Sequence, residues 1–345
     1  MQTVFRFIFQ KVLRLIAVLG GVVLVTFLLM HAIPGSPWNN FSPSALAMVD
    51  VSMDDSTLRE LNRRFGLDLP MWRQFTRYIV GDWDGQGRFF CGAICGNLGP
   101  SISMGGRSVQ DVLFKPARGL GFWESQFGYS LRLVLLGAAI VVGLGIPLGV
   151  RSALRPNGLA SRIISFGLVG LISIPNFILG LLAVVVLAAW LKLITILPDW
   201  HNPAHWIVPA LVLAAMPMAS LARMTRAAIG AVLGEDYIRT ARAKGVPGAR
   251  VLRLHVMRNI LAPLITYLGP LLVEMFTGLL VVENLYSFPG FGRQFWIAVL
   301  KLDYPMILGL ALIYALAIEL VNLLVEMMCE VIDPRLRADP PRGDV

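Results

Sequence analysis

Charge is scarce in this sequence. Of 345 residues, 15% are Asp, Glu, Lys or Arg while 56% are hydrophobic, a balance that excludes an ordinary soluble domain. Cysteine and histidine are scarcer still, at three and four. His201 and His205 are separated by Pro203, which breaks the spacing that would put both on one helix face, so no metal site is expected. There is no His-Glu-x-x-His segment and no Ser and His pair inside an apolar run, which argues against an intramembrane enzyme. None of Lys11, Lys115, Lys192, Lys244 and Lys301 follows a glycine, so the Gly-Lys-Ser/Thr loop that cradles ATP phosphates is missing.

What is present is apolar length. A span needs about 20 mostly apolar residues to cross a hydrocarbon core of roughly 30 Å. Such runs occur near 12–33, 129–150, 163–191, 206–222, 260–282 and 304–328, which predicts an all-α membrane protein of six transmembrane helices. Pro175 removes a helix hydrogen bond inside the third run, where a kink or break is expected. Arg6, Lys11 and Arg14 precede the first run as in a signal peptide, but that run is long and no Ala-x-Ala site follows, so it reads as an uncleaved span.

Basic residues set the orientation. Arg151, Arg155 and Arg162 follow the second run. Arg223, Arg226, Arg239, Arg242, Lys244, Arg250, Arg253 and Arg258 lie between the fourth and fifth, and Arg335, Arg337 and Arg342 close the chain. Both termini and both basic loops are therefore expected in the cytoplasm, and the net charge of +9 reflects topology rather than nucleic-acid binding.

The chain then divides into an N-terminal helix (1–33), an extracytoplasmic segment (34–127), a five-helix core (128–328) with a cytoplasmic loop (223–259), and a cytoplasmic tail (329–345). Within the outer segment, 54–65 reads as an amphipathic helix stopped by Gly66, Pro70 opens a second helix, and the Gly-rich stretch 81–106 reads as irregular. Cys91 and Cys95 fall in that stretch on the oxidising side, so a small disulfide loop is one reading and free thiols the other. Cys329 reads as an inert apolar residue. Gly143, Gly145, Gly149, Gly167 and Gly170 permit close helix packing, either within the chain or against another subunit.

The loop after the fourth run carries the sharpest local signal. Glu235 and Asp236 suit a helix N-terminus, Arg242 and Lys244 its C-terminus, and Gly245 followed by Pro247 stops it. Leu233, Tyr237 and Ala241 recur at i, i+4 and i+8 with Ile238 beside them, a narrow apolar stripe flanked by charge. That pattern suits a helix that docks onto a partner. The competing reading is that its basic residues enforce topology and face lipid headgroups.

The stretch 237–245, with Pro263 beyond it, resembles the cytoplasmic loop of binding-protein-dependent ABC importer permeases, in the form typical of the oligopeptide and dipeptide branch. Where the general signature begins Glu-Ala-Ala, this chain has Arg239-Thr240-Ala241. Further similar segments are Ala32-Ile33-Pro34-Gly35-Ser36-Pro37, Phe65-Gly66-Leu67-Asp68-Leu69-Pro70, Ser173-Ile174-Pro175-Asn176-Phe177, the stretch 282–292, Asp303-Tyr304-Pro305 and Ile332-Asp333-Pro334-Arg335. The stretch 83–96 has no counterpart in that pattern and reads as an insertion.

The resemblance implies a type I ABC importer permease fold in a bacterial inner membrane, as the first permease of a pair. Its implied partners are a second homologous permease in a heterodimer, two cytoplasmic ATPase subunits that bind ATP and Mg, an extracytoplasmic substrate-binding protein, and membrane lipid. It implies no catalytic residue and no cofactor in this chain, and it implies peptide cargo, with nickel, glutathione or oligosaccharides as alternatives. Glu235, Asp236, Tyr237, Ile238, Arg239, Ala241, Arg242, Lys244 and Gly245 would form the helix that meets the ATPase, with Tyr237, Ile238 and Ala241 filling its groove.

Charged groups inside spans are costly, so Glu274 and, below it in rank, Glu319 are pathway candidates by default, joined by Asn176 beside Pro175 and by Met216 and Met218 around Pro217. Ordinary packing is the competing reading for each. Between the last two runs, Phe288, Phe291 and Trp296 read either as an outer mouth that touches the binding protein or as an interfacial aromatic belt. A secondary transporter would carry more intramembrane carboxylates and inverted repeats than this sequence has.

Overall fold

The computed structural model describes residues 2–33, 38, 55–83, 87, 89–116, 121–195 and 198–332. The sequence features at Pro34 to Pro37, at Asp333 to Arg335, and at Arg337 and Arg342 lie outside the described residues. Helices dominate: α1 (Gln2–Ala32), α2 (Asp55–Phe65), α3 (Met71–Ile79), α4 (Val109–Phe114), α5 (Gln126–Leu154), α6 (Leu159–Ser173), α7 (Asn176–Ala183), α8 (Ile207–Leu233), α9 (Asp236–Ala243), α10 (Gly248–Leu285), α11 (Phe291–Leu300) and α12 (Tyr304–Ile332). A π-helical turn, Val251–Val256, interrupts α10 near its start, and another, Val184–Trp190, extends α7.

Helices α1, α5, α8, α10 and α12 are each long and apolar enough to cross a membrane, and α6 with α7 makes a sixth span if the pair is counted as one. That pair is bent by 106°. The cause is local: Pro175 has no N–H to donate, and its ring forces Ile174 into an extended conformation (φ −98°, ψ 119°), so the helix stops at Ser173 and restarts at Asn176. Of the kink or break expected at Pro175, the structure has the break.

The chain forms two compact units, Met1–Ser130 with Pro289–Ala317, and Leu131–Phe288 with Ile318–Val345. In the first, α2 ends at Gly66, which takes the left-handed conformation (φ 71°). Trp38 packs its ring on Phe65 and donates its Nε1–H to Asn62 Oδ1 at 2.7 Å. The stretch 81–106 is not irregular throughout. Gly81–Trp83 and Phe89–Cys91 pair as antiparallel strands β1 and β2, with Trp83 against Phe89 at 5.4 Å between ring centres. Aromatic cross-strand pairs stabilise such ribbons by roughly 0.2–1 kcal/mol each, and a glycine count obscures them. Cys91, at the end of β2, is joined by a disulfide to Cys95.

The second unit is held by small residues. Ala210, Ala214, Ala215, Ala219 and Ala222 of α8 are all buried. Side chains this short let helix backbones approach closely, which is how apolar helices gain packing contacts in lipid. On α5, a Cβ at Gly145 would sit 3.0 Å from the Met218 carbonyl, and one at Gly149 would sit 2.6 Å from that of Ala222. The glycines of α5 and α6 therefore divide. Gly145 and Gly149 serve packing within the chain, while a Cβ at Gly143, Gly167 or Gly170 would meet nothing within 4 Å.

Candidate functional site

Helix α8 ends at Gly234, and the chain restarts as α9 after one extended residue, Glu235 (φ −71°, ψ 147°), whose carbonyl accepts from the N–H groups of Ile238 and Arg239 at 3.1 and 3.3 Å. Asp236 in the first turn lies near the positive end of the helix dipole. Its carboxylate also meets Arg239 at 3.3 Å, a pair so exposed that water screens most of its attraction.

The far end is a Schellman cap. Val246 N–H donates to Ala241 O at 3.2 Å and Gly245 N–H to Arg242 O at 2.9 Å, with Gly245 left-handed at φ 74°. A Cβ at Gly245 would meet nothing within 4 Å, so backbone conformation rather than space demands glycine there.

One side chain anchors this short helix. Ile238 is fully buried, and α9 rests on the π-helical turn Val251–Val256, where Val251 and Val256 are buried too. Burying an isoleucine side chain stabilises the contact by about 1.5–3 kcal/mol. Ile238 is therefore unavailable to a partner, which corrects the expectation that it fills a partner's groove. Tyr237 remains 43% exposed, its hydroxyl accepting from Asn259 Nδ2 at 2.8 Å while that same amide also donates to His255 O. Ala241 is half-buried, and Arg239, Arg242 and Lys244 are exposed. Around that anchor Tyr237, half-buried Ala241 and the cations Arg239, Arg242 and Lys244 stay accessible, together with Asp236, Thr240 and Ala243.

The pathway candidates are distributed over three helices of the same unit. Asn176 opens α7, half-buried, and its Oδ1 accepts no hydrogen bond among the described residues. Its Nδ2 lies 3.7 Å from where Gly278 of α10 would carry a Cβ, one helical turn beyond Glu274. Glu274 is half-buried and makes no hydrogen bond or ion pair among the described residues. Met216 and Met218 flank buried Pro217 on α8. Residues two apart on a helix point about 200° apart, so they cannot line one common face. Tyr286, just past the end of α10, donates to Gly180 O of α7 at 3.2 Å, and burial pushes its phenol up to about 12.

Between α10 and α12, Phe288 and Phe291 are buried, Phe288 edge-on to Trp200 and Trp206, so neither is available to a partner. Trp296, on α11, is 51% exposed.

Asp303 is a residue whose role sequence reasoning missed. Fully buried, it accepts from Ser101 Oγ (2.5 Å), Ser103 Oγ (2.7 Å) and the N–H groups of Ser103, Ile102 and Met306 (2.8, 3.1 and 3.3 Å). It caps α12 and pins the loop 99–106 at once. An Asp directly before Tyr-Pro at the start of a long apolar run is an N-cap signal, and it was the available clue.

Comparison with known proteins adds the context. The family described as "binding-protein-dependent transport system inner membrane component" matches residues 145–338. The dipeptide transport system permease protein DppB of Bacillus subtilis is 33% identical over 96% of this chain and 98% of its own length. DppB of Escherichia coli K12 and the oligopeptide transport system permease protein AppB of Bacillus subtilis are each 31% identical with the same coverage. Among solved structures, a chain of the inward-facing MetNI methionine ABC transporter aligns over 59% of this chain and 93% of its own, at 14% identity and a TM-score of 0.48.

Proposed function

Because the chain belongs to the binding-protein-dependent transport system inner membrane component family, we propose that it is one of two permeases forming the translocation path of an ATP-driven importer of dipeptides or oligopeptides. The near-full-length similarity to dipeptide and oligopeptide permeases supports the cargo class. A family that depends on a binding protein implies a substrate-binding protein and partner ATPases. The finer reading is two ATPase subunits that bind ATP and Mg in the cytoplasm, a second homologous permease, and both termini of this chain on the ATPase side.

In this reading α9 is the contact with the ATPase. The observation that carries it is the division of the helix into an anchor and a free face: Ile238 holds it to α10, while Tyr237, Ala241, Arg239, Arg242 and Lys244 stay accessible. A helix seated on the first turns of a 38-residue helix passes any displacement along that helix as a unit. Glu274 and Asn176, both short of partners, flank the path and offer polar groups to a peptide.

The test is reconstitution of the full complex in vesicles, with uptake of labelled dipeptide and ATP hydrolysis read together. Ala241→Trp places bulk on the free face. It is expected to abolish uptake while the ATPase subunits retain basal turnover. Uptake at the wild-type rate would remove α9 as the contact, and failure of the wild-type complex to take up labelled peptide would remove the cargo assignment.

A further inference from the structure

A cavity of about 410 Å³ lies between α6 and α8, lined by Ser165, Leu168, Val169, Arg223, Arg226 and Ala227. Its apolar end is closed where Leu168 packs on Ala219 and Ala222. Its polar end is built: Arg226, half-buried, donates from Nη1 to Ser165 Oγ, and Arg223 stands three residues earlier on the same helical face. Arg162, one turn before Ser165 on α6, is exposed. Among the described residues, neither Arg223 nor Arg226 meets a carboxylate. Two guanidiniums, that of Arg223 exposed and that of Arg226 half-buried, thus line one concavity with no carboxylate partner among the described residues.

The surroundings specify what would supply it. Leu159, Ile163, Phe166 and Val169 of α6 are 74%, 64%, 84% and 55% exposed, an apolar face continuous with the cavity wall. A free anion would satisfy the arginines and leave that wall bare. An amphiphile with a phosphodiester head and acyl chains matches both, since paired guanidiniums take phosphate oxygens bidentately and basic pockets between spans suit lipid headgroups. Ser165 accepts from Arg226, and its own hydroxyl hydrogen remains to donate to a phosphate oxygen.

We propose that the Arg223, Arg226 and Ser165 pocket is a binding site for an anionic phospholipid, with the phosphodiester on the two guanidiniums and an acyl chain along Leu168, Val169 and the exposed face of α6. The site rests on the membrane placement of the chain and not on α9 as the ATPase contact, so either reading can fail alone. The bland alternative is that these arginines only enforce topology, in which case any equivalent pair of basic residues would serve.

The experiment is native mass spectrometry of the complete transporter complex loaded with dioleoyl-phosphatidylglycerol or dioleoyl-phosphatidylcholine. The wild type is expected to retain the anionic lipid preferentially. Losing two charge-assisted contacts should cut retention about tenfold or more in the double variant Arg223→Gln/Arg226→Gln. Arg151→Gln/Arg155→Gln, which removes the same charge at the end of α5, should leave retention unchanged. If the arginine double variant fails to assemble, Ser165→Leu decides, because it fills the pocket without touching the charge and should also release the lipid. Retention unchanged in the pocket variants overturns the site, and equal loss in the α5 control reduces it to topology. Full displacement by inorganic phosphate would make the ligand a soluble anion rather than a lipid.

Discussion

The hydroxyl of Ser101 donates to the carboxylate of Asp303 at 2.5 Å across 202 positions of sequence, with both residues fully buried. This bond ties the tight loop 99–106 to the first turn of α12. Around it the same carboxylate takes the Ser103 hydroxyl and the N–H groups of Ile102 and Ser103, so four donors of one loop depend on one side chain.

Asp303→Ala would leave those donors without an acceptor, the Ser101 hydroxyl and the Ile102 N–H buried and the two of Ser103 partly so. Each unsatisfied buried group costs about 1–3 kcal/mol, more where a charged partner is lost, so loosening of the loop 99–106 is expected even if the spans stay inserted. Limited proteolysis of the assembled complex is the readout. Asp303→Ala should be cut near Met104 to Arg107 well before the wild type, whereas Ser101→Ala, which removes one donor and not the acceptor, should be cut only slightly faster. Equal resistance of Asp303→Ala and wild type would show that the carboxylate does not hold the loop.

Gly245 offers a cleaner conformational test because nothing crowds it. A β-branched residue at φ 74° is strained by roughly 1–2 kcal/mol through its backbone alone, so Gly245→Val should open the cap of α9 while Gly245→Asn is tolerated. In the reconstituted complex, Gly245→Val is expected to lower uptake several-fold with basal ATP hydrolysis preserved. If Asn and Val variants behave alike, the cap geometry is irrelevant to transport.

How much of this was legible in sequence follows from what kind of interaction held each part. The ends of α9 could be read because capping is local: Glu235, Asp236, Gly245 and Pro247 act within a few residues of themselves. The break at Pro175 was legible for the same reason, although its size, 106°, depends on what α6 and α7 pack against. The β1 and β2 pairing was hidden because glycines at 81, 85 and 87 dilute the alternating pattern, and register comes from cross-strand partners. Nor could the inward turn of Ile238 be read. Tyr237, Ile238 and Ala241 all lie on one narrow apolar stripe, and only the position of α10 decides which of them it covers. Asp303 was missed because its partners at Ser101 and Ser103 lie far away in the chain.

The strand β1 carries a pH-sensitive contact. Asp82 accepts from the Trp83 N–H and also meets Arg73 at 3.4 Å, and these, the first above all, hold its carboxyl below the ordinary value of 3.8. A carboxylate with a depressed native pKa stabilises the fold above its unfolded value and loses that contribution as pH falls through the native one. The hairpin should therefore keep its amide protection near neutrality and lose it progressively as pH falls towards the ordinary carboxyl value of 3.8 and on through the lower native one. Asp82→Asn should abolish that acid dependence, as measured by hydrogen exchange of the peptide containing Gly81 to Trp83. A transition near neutral pH would assign the sensitivity to another group.

The division of α9 into anchor and free face makes two substitutions on neighbouring positions behave differently. Ile238→Ala removes a fully buried side chain, for which losses of about 2–5 kcal/mol are usual. With most of its anchoring gone, α9 should detach from α10. The variant is therefore expected to lose both uptake and protection of the segment 236–243 in the isolated permease pair, before any ATPase is added. Tyr237→Phe removes only the hydroxyl that accepts from Asn259, about 1 kcal/mol, and should leave the helix in place and uptake close to normal. Tyr237→Asp, in contrast, puts a charge on the exposed apolar patch without touching the anchor. It should leave the permease pair unchanged in hydrogen exchange but weaken ATPase association several-fold in a pull-down from detergent. Were Tyr237→Asp to bind the ATPase as the wild type does while Ile238→Ala alone fails, α9 would be a structural strut of α10, and the contact would have to lie elsewhere in the loop 234–259.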